Sequence, residues 1–141
     1  MKEQKILIFE DEWATISGSF DLANIYAFDG MLKFEHHSKS QEVVFSSLRE
    51  KYSAVFVDIT LAKNTKLDGF NIVKRIVEEN LFDKSRMVVL TGNSKVKEKL
   101  KTLGVDTRGL RIEYKPVGFT TISSVLHSIL STQDISQTNV I

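Results

Sequence analysis

The sequence predicts an α/β fold in which a parallel five-stranded sheet is covered by helices on both faces. Two observations carry this. Three short stretches, Ile6-Leu7-Ile8-Phe9, Ala54-Val55-Phe56-Val57 and Met87-Val88-Val89-Leu90, are continuously apolar, as strands buried on both faces of a parallel sheet must be. Between them the apolar residues fall at helical spacing, so strands and helices alternate along the chain, the pattern of repeated βα units.

The elements follow in order. After the first strand, Trp13, Ile16, Phe20 and Ala23 space one face of a helix. Leu32 and Phe34 then interleave with Lys33 and Glu35, an alternation expected of a strand with one wetter face. Val44 and Leu48 mark a second, shorter helix before the strand at 54–57. Phe70, Val73, Ile76 and Val77 form a third helix, with Asp68 suited to its N-cap. Beyond the strand at 87–90, Val96, Leu100 and Leu103 line a fourth helix closed by Gly104. Leu110, Ile112 and Tyr114 alternate with Arg111 and Glu113 as a fifth strand, and Phe119, Ile122, Val125, Leu126 and Ile129 space a fifth helix. The unbroken apolar strands belong in the middle of the sheet and the alternating ones at its edges. That suits strand order 2-1-3-4-5, a flavodoxin-like (βα)5 three-layer sandwich. One domain is expected over residues 1–130, followed by a polar, flexible tail over 131–141.

Composition narrows the function classes. The 141 residues are 42% hydrophobic, enough to fill a core, and 19 Lys and Arg against 18 Asp and Glu give no global charge to attract nucleic acid or a membrane surface. No cysteine is present, which removes disulfides, thiolate metal sites and a cysteine nucleophile. The apolar run at 6–9 is too short for a signal-peptide core or a membrane span, so a cytoplasmic location is expected.

Ligands of such sheets bind beyond the carboxyl ends of the strands, near the switch point between strands 1 and 3. The first strand ends in Glu10-Asp11-Glu12, the third in Asp58, the fourth in Thr91 and the fifth in Lys115-Pro116. Clustered carboxylates need a counter-charge, and hard oxygen ligands in this number suit Mg²⁺. A carboxylate is also a nucleophile toward phosphorus, and the charge on a phosphoryl group calls for a metal, an ammonium and a hydroxyl donor.

These four landmarks and Asp68-Gly69 occur in the order found in the receiver domains of response regulators, and the chain resembles that family over residues 4–130. The resemblance implies that Glu10 and Asp11 hold Mg²⁺ together with Asp58 and the backbone carbonyl of Thr60. It also implies that Asp58 accepts the phosphoryl group, that Thr91 bonds it, and that Lys115 pairs with one of its oxygens across a cis Lys115-Pro116 bond. The protein would then be a signalling switch with no turnover activity beyond its own phosphorylation and dephosphorylation. Its partners would be a histidine kinase or phosphotransfer protein and a downstream protein docking on the helix 4–strand 5–helix 5 face, where Lys95, Lys97, Lys99 and Lys101 cluster. The chain departs from the family in two places. Residues 59–67 form a longer loop with Lys63 and Lys66 and no proline. Ile112 stands where the family usually has its switch aromatic, with Tyr114 two residues further on.

Blander readings stand beside these. Glu10-Asp11-Glu12 suits the charged first turn of a helix, Asp58 a strand-end cap, Lys115 a solvated lysine before a turn proline, and the adjacent His36 and His37 an ordinary surface pair. Two other functions compete with the switch. One is a receiver-like interaction module that is never phosphorylated. The other is a dehalogenase-type phosphatase, which normally carries an acid two residues after its nucleophile, where this chain has Thr60.

Overall fold

The computed structural model describes residues 2–139, with side chains up to Ser131. The elements run β1 (Gln4–Phe9), α1 (Trp13–Ala27), β2 (Leu32–His37), α2 (Leu48–Lys51), β3 (Ala54–Asp58), α3 (Gly69–Glu78), β4 (Met87–Thr91), α4 (Val96–Thr102), β5 (Arg111–Tyr114) and α5 (Phe119–Asn139). All strand pairs are parallel and the order is β2-β1-β3-β4-β5, as the apolar and alternating strands predict. Among the described residues no helix is long and apolar enough to cross a membrane.

Strand parity divides the core in two. Leu7, Phe9, Val55, Val57, Met87 and Val89 point to one face, where Leu48, Ile72, Val73, Ile76 and Leu100 of α2, α3 and α4 cover them. Ile6, Ile8, Ala54, Phe56, Val88 and Leu90 point to the other, under Phe20 and Ala23 of α1 and Ile122, Leu126 and Ile129 of α5. Every residue of β3 and β4 is buried. In β2 and β5 only Leu32 is, as befits edge strands, but burial does not alternate along β5: Arg111, Ile112 and Glu113 are half-buried and Tyr114 is the exposed residue.

The second helix differs from its sequence reading. Val44 does not share a buried face with Leu48: it is 66% exposed, and Phe45 takes the inward place from a 3-10 turn spanning Phe45–Ser47. The Phe45 ring packs 5.8 Å from that of Phe9 and carries the Arg75 guanidinium 4.5 Å from its centre. α2 itself is a single turn, too short for periodicity to be read from spacing. Leu103 lies beyond the end of α4 and is partly exposed, and Val105 fills the core after it. The expected domain boundary at residue 130 falls inside α5, and the side chains of 132–141 lie outside the described residues.

Phe45→Ala should therefore cost about 3–5 kcal/mol of unfolding free energy, while Val44→Ser stays within ~0.5 kcal/mol of wild type. Urea unfolding measures both, and the reverse ranking would contradict this packing.

Candidate functional site

The strand ends bring the predicted groups to one rim. Glu10 follows β1 directly, and its backbone N–H is held by the His37 carbonyl of the neighbouring strand end at 3.0 Å. Asp58 is the last residue of β3 and Thr91 the last of β4. Lys115 follows β5, its N–H bonded to the Thr91 carbonyl at 2.8 Å, and its bond to Pro116 is cis. Glu10, Asp58 and Thr91 are buried, whereas Asp11 is exposed.

Charge organises the rim. The Lys115 ammonium lies 3.1 Å from Glu10 Oε2 and 3.2 Å from Asp58 Oδ2, bridging the two buried carboxylates. Burial opposes the charge on Lys115, but Asp58 and Glu10 outweigh it and raise its pKa. One cation does not neutralise two anions. Burial, and then the charge of Asp58, push the Glu10 carboxyl from 4.5 to about 7 against the pull of Lys115. Oxygens of Glu10, Asp11 and Asp58 all come within 4.8 Å of one another. Such a set of hard, partly uncompensated donors fits Mg²⁺.

Two neighbours set the position of Asp58. Thr60 donates to Asp58 Oδ1 from its backbone N–H at 3.0 Å and from its hydroxyl at 2.8 Å. The sequence reading assigned Thr60 only a carbonyl role, and this double contact was not part of it. Gly69 begins α3 with its Cα against the backbone of the strand end: a Cβ there would stand 2.4 Å from the Asp58 carbonyl oxygen and 2.5 Å from that of Ile59. The Asp68-Gly69 pair thus joins a helix cap, with the Asp68 side chain accepting from Asn71 N–H at 2.8 Å, to a close approach only glycine permits.

Thr91 accepts a hydrogen bond from Asn93 N–H at 2.9 Å, while its own hydroxyl hydrogen has only a marginal acceptor, the Asn93 carbonyl at 3.5 Å. Asn93 in turn accepts from Lys95 N–H at 2.8 Å. The loop at 92–95 therefore hangs on the Thr91 side chain.

The long loop after Asp58 is docked against the segment that follows β2. Ile59 and Leu61 are buried beneath it. Ser40 donates from its N–H to Thr65 Oγ1 at 2.8 Å and accepts on its hydroxyl from Leu67 N–H at 2.9 Å. Gln41 donates to the Asn64 carbonyl and accepts from Lys66 N–H. These partners lie about 25 residues apart in sequence, and no local spacing signals them. The side chains of Lys63 and Lys66 are exposed. On the predicted switch strand, Ile112 packs against the core, whereas Tyr114 is 51% exposed. His36 is exposed and stacks on Trp13 at 5.2 Å, and His37 sits between Glu35 and Glu42, so neither joins the rim cluster.

Two outcomes follow. Because folded Glu10 keeps a proton that unfolded Glu10 has released, its contribution to stability is full below pH 4.5 and is lost as pH rises through about 7. Glu10→Gln should remove that component, so metal-free wild type should lose stability relative to the variant between those pH values; parallel urea midpoints would contradict it. Gly69→Ala should displace the end of β3, destabilise the fold by about 1–3 kcal/mol, and perturb the Asp58 and Thr60 amide signals more than those of α5.

No family model and no curated protein matches the chain. Solved structures do. The receiver domain of a sensor histidine kinase from Pseudomonas aeruginosa, with a magnesium ion coordinated in its active site cleft, is 20% identical; the match has a TM-score of 0.65 and covers 92% of this chain and 98% of that one. A response-regulator receiver domain from Francisella is 15% identical, with a TM-score of 0.62 and coverage of 92% and 99%. The NtrX receiver domain from Brucella abortus is 19% identical, with a TM-score of 0.62 and coverage of 90% and 98%. The chain spans only 28–29% of the length of longer NtrX chains that also match. In topology, and over about nine-tenths of its length, the chain has the fold of the response-regulator receiver domains.

Proposed function

We propose that the protein is a phosphorylation-dependent signalling switch of the cytoplasm, with Asp58 as phosphoacceptor and a Mg²⁺ site at Glu10, Asp11, Asp58 and the Thr60 carbonyl. The observation that carries this is the pair of buried carboxylates, Glu10 and Asp58, bridged by one Lys115 ammonium at 3.1 and 3.2 Å with Asp11 beside them. A purely structural rim has no need to bury two like charges with one counter-ion, since an apolar replacement is commonly as stable.

In the reaction, a carboxylate oxygen of Asp58 attacks phosphorus as the bond to the donor breaks. With a phosphohistidine donor the P–N bond is lost, and the imidazole leaves with the electron pair and takes up a proton. Mg²⁺, when bound, offsets the charge on the phosphoryl oxygens. Thr60 fixes the carboxylate through its two bonds to Oδ1. Lys115 stands beside Oδ2, ready to pair with a phosphoryl oxygen. The Thr91 hydroxyl keeps its bond from Asn93 and turns its weakly held hydrogen toward the new anion. Hydrolysis by water returns the carboxylate and inorganic phosphate. The phosphodonor is a histidine kinase or phosphotransfer protein, and the α4–β5–α5 face receives the downstream protein; Lys97 and Lys101 of α4 are exposed, and Lys99 lines a cavity beside Phe70 of α3. The dehalogenase reading loses support, because Thr60, at the position of its second acid, is spent on Asp58.

Incubation with a small phosphodonor and Mg²⁺ should add one base-labile phosphoryl group, read by intact mass. Asp58→Asn should take up none, and equal labelling of that variant would refute the assignment; absence of labelling in wild type would favour an unphosphorylated interaction module. Signal transmission has its own test. Because residues 92–95 hang on Thr91 and Ile112 is packed into the core, a beryllofluoride phosphate mimic should shift the amides of 92–95 more than those of 111–114. The opposite ranking would transfer the switch to Tyr114.

A further inference from the structure

We infer that the outer face of α1 and α5 is a self-association surface, which pairs two copies of this chain about a two-fold axis. The face is unlike the rest of the molecule in charge. The chain carries 19 basic and 18 acidic side chains, yet residues 13–27 and 119–131 contain one of them, Asp21, with His127 as the sole histidine. Apolar groups stand out from it instead. Leu22, Ile25 (62% exposed), Tyr26 (74% exposed) and Phe119 are four of the seven large hydrophobic side chains exposed among the described residues. The Tyr26 and Phe119 rings approach to 6.1 Å across the two helices, so the patch is continuous. Exposed apolar patches of this kind mark interaction sites.

Gly18 adds an independent observation. It lies mid-helix in α1, is exposed, and shares an outward stripe with Leu22 and Ile25 at helical spacing. A helix-interior glycine weakens a helix relative to alanine, and a Cβ at Gly18 would meet nothing within 4 Å in this chain. Nothing inside the molecule requires it, whereas a backbone approaching from outside does, because a bare Cα lets a second helix come close.

Charge selects the occupant. Without Lys or Arg the face offers nothing to an anionic lipid surface or to nucleic acid, and a charged peptide would find no counter-charges. A second copy matches it in kind, apolar on apolar and hydroxyl on hydroxyl, with Asp21 the one charged group each copy brings to the contact. An isologous two-fold contact is the common closed solution for such a patch, and two α1–α5 pairs facing one another form a four-helix layer.

The test is the mass of the full chain in solution without phosphodonor, so that its outcome is separate from that of the Asp58 assignment. Sedimentation and light scattering across the micromolar range should show a concentration-dependent rise from 16.0 kDa to twice that value. Ile25→Asp and Gly18→Ala should each weaken the dimer at least tenfold, and Gly18→Ala should at the same time raise the Tm of the dilute monomer. Val44→Asp, at an exposed apolar residue away from this face, should leave association unchanged. A monomer at every concentration would overturn the inference. So would a dimer that survives both α1 variants, or one that Val44→Asp dissolves equally.

Discussion

Two carboxylates, Glu10 and Asp58, are buried at the ends of adjacent strands with a single ammonium between them, and much of the surrounding structure answers to that arrangement. Strands β1 and β3 are neighbours only because the chain crosses over after β2, in the order β2-β1-β3. The crossover carries two acids from distant sequence positions into the same low-dielectric rim. The sheet must then supply a cation from elsewhere, and Lys115 arrives from β5 with its backbone tied to the end of β4. One positive charge against two negative leaves a deficit; burial first, and then the charge of Asp58, raise Glu10 to about 7. A dication completes the balance, and so does a proton. Metal binding and the protonation of Glu10 are in this sense alternatives.

The loops around the rim are specialised in opposite ways. The one after Asp58 is held down, with Ile59 and Leu61 buried and Ser40 and Gln41 clasping it from the segment after β2. The one after Thr91 depends on a hydroxyl that accepts a good hydrogen bond and donates a poor one. An anion placed at Asp58 leaves the Ser40 and Gln41 clasp of the first loop untouched and competes directly for the hydrogen of the second. A ligand biases a two-state element only through differential contacts; Thr91 and Lys115 have such contacts to offer, and of the two Thr91 holds the 92–95 loop.

Most of the fold was legible in the sequence because strands buried on both faces leave unbroken apolar runs, and edge strands leave alternation. The short second helix departs from its sequence pattern for a physical reason: a single turn preceded by a 3-10 turn has no period to detect, so spacing points to Val44 as inward where Phe45 is. Glu10, Asp58, Thr91 and Lys115 were legible as strand-end residues, and the structure brings them to one rim. The double bond from Thr60 to Asp58 and the clasp by Ser40 and Gln41 were not, since they depend on loop geometry that spacing does not encode. Gly69 was visible as part of a pair, but its reason, a backbone contact too close for any Cβ, required coordinates. The α1–α5 face, with Asp21 as its one charged side chain, was readable as composition, although its continuity depends on how the two helices pack.

The deficit of positive charge at the rim is tested most directly by calorimetric titration of Mg²⁺ into the wild-type chain and into Lys115→Met. If Lys115 is the resident counter-ion of Glu10 and Asp58, removing it deepens the negative potential. Mg²⁺ should then bind the folded variant with one-to-one stoichiometry and at least tenfold more tightly than wild type. Equal or weaker binding in the variant, or no saturable binding in either protein, would contradict the account.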